Sequence, residues 1–375
     1  MESTLSKPKT KITNLLFFLC LAIFPFGQIP AFVFNADVLG FRFHLLDLLV
    51  LILFMLSVFT TKKLWFAESG AFVLTALFSY LLSVFLGFAT LKGFFYLIRL
   101  VSYLNLANIT IGLKKQKRII KNSVVNYFVA ISGVVAALGL LQYLWLPDLT
   151  ALKYYGWDDH YFRLVSTFLD PAFTGIILVL GILLLLAKTQ KYKYLMLTFL
   201  GISLALTFSR ASYLSLLVAT LFFADYKKII KPIFFTIIAI LLTLAVSPKP
   251  GGEGVNLART SSISEKITNY KTSAKIIANS PLFGVGYNNV CLFNSDNLDA
   301  NSCSGLDNSF LFVWATTGII GLMSFIYFVT AIYKTTFIRP TLIAILIHSL
   351  FTNTFFYAWI MFWLMVLWGM FKGDN

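Results

Sequence analysis

Long apolar runs separated by short polar segments make up most of the chain. Most of these runs are long enough to cross the hydrocarbon core of a bilayer as an α-helix. The pattern therefore predicts an all-α, polytopic integral membrane protein with about twelve transmembrane helices. The predicted helices are roughly residues 14–34, 43–60, 68–88, 93–112, 123–145, 168–187, 193–208, 211–224, 232–247, 308–330, 340–354 and 356–371.

Residues 248–307 form a long polar stretch between the ninth and tenth predicted helices, and we interpret them as a large outer loop. Inside it, Ser262 and Glu265 have the spacing of a capping box. A helix is predicted from there to Asn279, because the following Pro281 stops it. Apolar residues recur along it at intervals of three and four, so we expect it to lie on the membrane surface or to cap a cavity. These residues are Ile263, Ile267, Tyr270, Ala274 and Ile277.

The composition agrees with a membrane protein. Hydrophobic residues make up 59% of the 375 residues and charged residues 12%, a balance that soluble domains do not have. Residues 1–375 are therefore predicted to form a single transmembrane domain. The formal net charge is +15, but most of the Lys and Arg residues fall in segments predicted to be cytoplasmic. This bias sets the orientation of membrane proteins, so we predict that both termini are cytoplasmic and infer no nucleic-acid binding.

The cysteines change this interpretation little. Cys20 lies within the first predicted helix, whereas Cys291 and Cys303 share the outer loop. A disulfide between these two would be stable in an oxidising compartment. The sequence alone leaves that pairing open.

A second outer segment, Pro147–Pro171, combines aromatic rings with acids and an arginine, Arg163. Rings such as Trp157 and Tyr161 are typical of the interfacial belt of a membrane protein. Because acids and an arginine lie in the same segment, these rings are also candidates for a surface on which sugar rings stack. The acids and histidine at residues 158–160 are adjacent in sequence and lack a further ligand, so we predict no metal site.

Some charges lie within or at the ends of apolar runs. Asp47 and Arg99 are inside predicted helices, where charge is a sign of function unless the side chain reaches the interface. Arg210 lies at the outer end of the short hairpin formed by the seventh and eighth helices. It is either an interfacial anchor or an anion clamp, since a guanidinium binds phosphate in a bidentate manner.

An ordered set of segments in the C-terminal 60% of the chain resembles the O-antigen polymerase and ligase family. Members of this family are bacterial membrane glycosyltransferases that use undecaprenyl-diphosphate-linked glycans. The segments are RLVSTFLDP (Arg163–Pro171), SRASYLSL (Ser209–Leu216), PLFGVGYNN (281–289), DNSFLFVWATTGIIG (Asp307–Gly321) and LIHSLFTN (Leu346–Asn353).

The last long motif departs from the ligase pattern at one position. Ligases of the family begin it with a histidine, the proposed catalytic base, followed by Asn or Ser, then nine residues, and then a Gly-x-x-Gly. Here Asn308, Gly318 and Gly321 fit that spacing, but Asp307 stands at the histidine position. The departure favours a polymerase over a ligase.

The resemblance implies glycosyl transfer outside the cytoplasmic leaflet of the bacterial inner membrane. The expected reaction is inverting and uses no cofactor or metal. The candidate diphosphate-binding residues are Arg210, Arg163 and Arg259, in that order. The candidate base is Asp307, and His348 is the second candidate. At the start of a helix, however, Asp307 is equally expected to be an N-cap.

The predicted glycan contacts are Trp157, Tyr161, Tyr270 and Asn308. The implied partners are a lipid-linked glycan donor and acceptor, membrane lipid, a chain-length regulator and a flippase. Two other functions stay open: a ligase that moves glycan to lipid A core or to protein, and a flippase or transporter of lipid-linked oligosaccharides. Against the transporter, the chain has no internal repeat with broken helices in matching halves.

Overall fold

A computed structural model describes residues 7–33, 37–38, 41–59, 64–155, 157–189, 191–250, 254–294 and 305–373. Within these ranges the chain is almost entirely helical, with one short antiparallel hairpin. The elements are α1 (Lys7–Ile23), α2 (Ile29–Val33), β1 (Asp37–Val38), β2 (Phe41–Arg42), α3 (Leu45–Val58), α4 (Ala67–Phe85), α5 (Leu91–Lys115), α6 (Lys121–Trp145), α7 (Pro171–Leu186), α8 (Lys193–Leu206), α9 (Arg210–Thr220), α10 (Tyr226–Val246), α11 (Ser261–Asn279), α12 (Cys291–Asn294), α13 (Ser309–Tyr333), α14 (Arg339–His348) and α15 (Ala358–Phe371).

Each of the twelve predicted apolar segments contains a helix, which fits an all-α membrane protein. Five helices, α4, α5, α6, α10 and α13, are long and apolar enough to cross a membrane. Most of the others are shorter apolar helices, so the number of twelve spans remains a prediction. The first predicted helix is interrupted, because Pro25 and Gly27 separate α1 from α2 and Gly27 has a φ of 54°.

The centre of the molecule is formed by α7 and α15, most of whose side chains are buried. In α15, the rings of Trp359, Trp363 and Trp368 are among the largest fully buried side chains. Helix α5 packs directly on α15, and Gly369 permits this, since a Cβ there would collide with the carbonyl of Ala107. A helix that is apolar on every face is expected at such a central position.

Helix α13 is broken at Gly318, where φ is 69° and ψ is −173°. This conformation is essentially restricted to glycine. The break is filled by the turn after α11: Val285 donates from its backbone N–H to Ala315 O (2.9 Å) and Ile319 donates to Pro281 O (2.9 Å). Two of the motifs that carry the family resemblance therefore form one structural unit.

We expect Gly318→Ala to destabilise the protein strongly. The backbone conformation alone costs about 1–3 kcal/mol for a residue other than glycine, and the new Cβ would also collide with the carbonyl of Leu282. The measurement is the melting temperature and yield of the purified protein in detergent. Gly112→Ala in α5 is the control, because nothing lies near that position; equal losses in both variants would contradict this explanation.

Helix α11 differs from its prediction at its first turn. It begins at Ser261 with Thr260 as the N-cap and without a side-chain capping bond, so the predicted capping box of Ser262 and Glu265 is wrong. Ser262 accepts a hydrogen bond from Arg210 instead (2.6 Å). The apolar stripe is only partly buried: Ile277 is in the core, whereas Ile263 and Ile267 are 48% and 49% exposed.

Candidate functional site

Three arginines from three different segments meet where α8 ends and α9 begins. Arg163 donates from Nε to Thr207 O (3.1 Å), and Arg259 donates to Phe208 O (3.4 Å). Arg210 donates to the carbonyl of Arg259 itself (3.0 Å). The structure therefore brings together all of the predicted diphosphate-binding residues, around the turn between α8 and α9.

The guanidinium of Arg210 donates hydrogen bonds to the outer loop. Its NH1 donates to Leu257 O (3.2 Å) as well as to Arg259 O, and its NH2 donates to Ser262 Oγ (2.6 Å). The planar fork thus joins the start of α9 to the loop and to the first turn of α11. Arg210 therefore acts first as a positioning residue for Arg259 and α11, which its place in the sequence did not indicate.

We expect Arg210→Lys to reduce chain length strongly although it keeps the charge, because an ammonium cannot reproduce three bonds of a planar fork. Arg210→Ala should have a larger effect. The readout is the length of surface polysaccharide at matched protein level. Full-length polymer from both variants would show that neither the fork nor the charge is needed.

Arg163 is the more available cation. Its Nε donates to Thr207 O, and among the described residues no acceptor is bonded to its terminal nitrogens. Burial and the nearby Arg259 lower the pKa of Arg163 to about 10, while Asp170 and Asp158 oppose that shift. The guanidinium consequently stays charged at neutral pH, in a partly dehydrated position that favours an anion.

Asp307 lies against α11 and does not cap α13. We call the region formed by the three arginines, the start of α11 and Asp307 the mouth. Its Oδ2 is 3.4 Å from Lys266 Nζ, and its backbone N–H donates to Asn269 Oδ1 (2.9 Å). Its side chain is 39% exposed. Helix α13 starts at Ser309 with Asn308 as the N-cap, so the N-cap interpretation of Asp307 is wrong by one residue.

Two predicted glycan contacts, Asn308 and Tyr270, form hydrogen bonds within the protein instead. Asn308 accepts the backbone N–H groups of Phe310 (2.8 Å) and Leu311 (3.1 Å), and its amide donates to Leu350 O (3.3 Å). The Tyr270 hydroxyl donates to the same carbonyl of Leu350. These bonds fix α11 and the start of α13 to the segment that follows α14.

His348 is fully buried. Its Nε2 is 3.2 Å from Ser212 Oγ, and its Nδ1 is 2.6 Å from Thr354 Oγ1. Both ring nitrogens are thus used to join α14 to α9 and to the segment before α15. Of the two candidate bases, the carboxylate of Asp307 is partly exposed and the ring of His348 is not.

A cavity of about 390 Å³ with several polar lining residues, here called the outer cavity, lies beside Asp158 and Gly305. Trp157, Asp158 and Asn353 line it, which fits the predicted role of Trp157 as a glycan contact. Tyr161 is outside the lining and 40% exposed. The pKa of Asp158 is raised. The largest cause is its partial loss of hydration, the second is the negative charge of the nearby Asp170, and Asp307 contributes less.

Sequence reasoning missed some residues of this site. Asp170 accepts two backbone N–H bonds as the N-cap of α7 (2.6 and 2.9 Å to Ala172 and Phe173), a role that the Asp-Pro pair at residues 170–171 could have indicated. The ion pair of Lys266 was not predicted, because its partner Asp307 is distant in sequence. Among the described residues, no three His, Cys, Asp or Glu side chains are arranged to hold a metal.

The sequence left open whether the cysteines of the outer loop form a disulfide. Cys291 is disulfide-bonded, and Cys303 lies outside the described residues. Cys20 is free and buried. The bonded Cys291 opens α12, next to the turn that fills the break in α13.

Comparison with known families gives one match that bears on this site. The family model described as O-antigen ligase matches residues 194–326. The resemblance to the O-antigen polymerase and ligase family is confirmed. The matched O-antigen ligase region runs from α8 into α13 and contains Arg210, Arg259 and Asp307, whereas Arg163 precedes it. A comparison with curated proteins gives no match.

Proposed function

We propose that this membrane protein is a polysaccharide polymerase, which joins undecaprenyl-diphosphate-linked repeat units into O-antigen or into capsular or exopolysaccharide. The observation that supports this function is the convergence of Arg163, Arg210 and Arg259 at the turn between α8 and α9. Arg210 also contacts the first turn of α11, the helix whose Lys266 pairs with the partly exposed Asp307. The cations suit a diphosphate, and the carboxylate suits a sugar hydroxyl. We place this mouth outside the inner membrane, with both termini cytoplasmic.

The proposed reaction is a single inverting displacement. A hydroxyl of the acceptor glycan attacks the anomeric carbon of the donor while Asp307 takes its proton. The new glycosidic C–O bond forms as the bond to the lipid diphosphate breaks, and the electron pair leaves with the diphosphate. Arg163 and Arg259 stabilise the charge that develops there. Because the leaving group is already a weak base, the step is proposed to proceed without a metal or another cofactor.

The main alternative within the family is a ligase that transfers finished glycan to lipid A core or to protein. The carboxylate of Asp307 at the position of the ligase histidine favours the polymerase. A flippase of lipid-linked oligosaccharides is the alternative from another class. Arg210 connects the three arginines to α11, which carries the ion pair of Lys266 with Asp307. We take this fixed arrangement of charged groups to favour chemistry over transport.

The glycolipid profile of a strain that lacks the gene tests the proposal. For a polymerase, we expect long chains to disappear while single repeat units still reach the cell surface. Complete polymer that stays attached to the carrier lipid would instead identify a ligase. Repeat units that accumulate only inside the membrane would identify a flippase, and either result would overturn the proposal.

A further inference from the structure

The segment LIHSLFTN (Leu346–Asn353) is one of the motifs behind the family resemblance, yet the proposed reaction assigns no chemistry to it. It contains the C-terminal end of α14 and the turn that follows. His348 in this segment and Thr354 next to it are fully buried. Burying polar side chains costs free energy unless they are hydrogen-bonded, so the partners of these groups indicate what the segment does.

On one side, the segment is bonded to the start of α9, which carries Arg210. His348 Nε2 is 3.2 Å from Ser212 Oγ, and Ser212 Oγ is 2.8 Å from Ser209 Oγ. Ser209 is the N-cap of α9 and directly precedes Arg210. Both serines are buried, so bulk water does not compete with these bonds. Two hydroxyl groups therefore connect His348 to the turn where the three arginines meet.

On the other side, the segment is bonded to the first turn of α13, which closely follows Asp307 in the chain. The backbone N–H of Ser309 donates to Ser349 O (2.9 Å). The hydroxyl of Ser309 donates to Asn353 Oδ1 (2.9 Å), and Asn353 directly precedes Thr354. The same short segment thus contacts the two parts of the chain that carry the candidate diphosphate-binding residues and the candidate base.

The hydrogen bonds around His348 agree with one tautomer of its ring. Thr354 Oγ1 donates to the carbonyl of Thr352 (3.3 Å) and is 2.6 Å from His348 Nδ1, so it accepts from Nδ1–H. A neutral imidazole that donates from Nδ1 has an acceptor at Nε2, which the Ser212 hydroxyl then fills. Ala172 O, another acceptor near that hydroxyl, is more distant at 3.5 Å. Each group, from the N-cap of α9 to Thr354, then donates one hydrogen bond and accepts another.

We propose that His348 and Thr354 are positioning residues, which hold the turn between α8 and α9 in a fixed position relative to Asp307 through the Nδ1–H tautomer of His348. The proposal rests on the proposed polymerase function, in which the arginines and the base act on the same reacting groups. Both residues are fully buried, so they act through the groups that they hold and not by touching substrate. A misplacement of about 1 Å can cost about a hundredfold in rate.

Thr354→Val tests this role, because valine keeps the shape of threonine and removes the acceptor of His348 Nδ1–H. We expect kcat on a lipid-linked repeat unit to fall about ten- to a hundredfold with little change in KM. Thr354→Ser keeps the hydroxyl and should restore most of kcat. Thr236→Val is the matched control, since the Thr236 hydroxyl is also buried but donates to Pro232 O within α10. Unchanged kcat in Thr354→Val, or an equal loss in Thr236→Val, would overturn the proposal.

Combination with Asp307→Asn separates positioning from a general loss of structure. If Thr354 acts by aligning the carboxylate of Asp307, its substitution has nothing left to misalign once that carboxylate is gone. The double variant should then be no slower than Asp307→Asn alone, whereas independent effects multiply. A rate equal to the product of the two single losses would reject the positioning role.

NMR of isotope-labelled ring nitrogens gives a readout that needs no activity. The chain has three histidines, and the signals of His348 are those lost in His348→Asn. We expect wild-type His348 to carry its proton on Nδ1, and Thr354→Ser to keep that tautomer. A proton on Nε2 in the wild type would contradict the proposal even if the valine variant does not fold. An inactive wild-type protein with the Nδ1–H tautomer would refute the polymerase function alone, so the two failures are distinguishable.

Discussion

Asp307→Asn is expected to abolish long chains while leaving the amount of protein in the membrane unchanged. Asparagine keeps the size and the hydrogen-bonding oxygen of aspartate, but it cannot take a proton from a sugar hydroxyl. Positioned acid–base catalysis contributes about a hundred- to ten-thousand-fold to rate, so the residual rate should be below one per cent. The measurement is polymer length on gels, together with the initial rate on a lipid-linked repeat unit.

The structure sharpens this test, because Asn308 and not Asp307 caps α13. Loss of the carboxylate should therefore not loosen the helix start. The remaining structural role of Asp307 is its ion pair with Lys266 at 3.4 Å. Lys266→Gln breaks that pair and keeps the carboxylate, and exposed pairs contribute at most about 1 kcal/mol, so this variant should remain active.

Two further substitutions complete the comparison. Asp159→Asn changes another exposed acid of the outer segments and should be silent. Asp307→His places a titratable acceptor at the same point and should keep part of the activity. Wild-type chain lengths from Asp307→Asn would reject the base assignment. The search would then turn to Asp158, whose pKa is raised, and not to His348, which is fully buried and bonded at both nitrogens.

The helices of this fold could be predicted because apolar runs of bilayer length have few other structures available to them. The interruption between α1 and α2 was missed although Pro25 and Gly27 mark it. The sequence left open whether the stripe with Ile263 and Ile267 lies on the membrane surface or covers a cavity, and these side chains are 48% and 49% exposed. In a membrane protein, an apolar stripe can face lipid as well as the protein core, so periodicity identifies the helix but not its partner.

Motifs predicted some residues of the site but not the contacts between them. Two of the motif segments contain Arg163 and Arg210, whereas Arg259 lies in the loop ahead of α11, and the structure brings all three together. No motif indicates which guanidinium already donates its hydrogen bonds within the protein, because the acceptors are carbonyls of a loop that is distant in sequence. Likewise, Asp47 and Arg99 each stood out as a charge in an apolar run, but their ion pair spans 52 residues and appears only in the fold.

Arg163→Gln is expected to lower the polymerisation rate by about a hundred- to a thousandfold, the usual effect of removing a donor aimed at developing charge. Arg163 is the arginine of the outer mouth whose terminal nitrogens are most available, since Arg210 is bonded to Leu257, Arg259 and Ser262. The charge on a diphosphate grows as it leaves, so kcat should fall more than the affinity for the donor changes. Initial rates at varied donor concentration separate these two parameters.

A structural role for Arg163 predicts a different pattern. Its bond from Nε to Thr207 O helps to fix the turn between α8 and α9, and loss of that bond alone would lower the yield and the melting temperature along with the activity. Arg163→Lys keeps a cation but not the planar fork, and it should recover part of kcat. Lys153→Gln removes an exposed cation from the same outer segment and should leave kcat unchanged. Normal kcat in a stably folded Arg163→Gln protein would show that the leaving diphosphate is stabilised elsewhere.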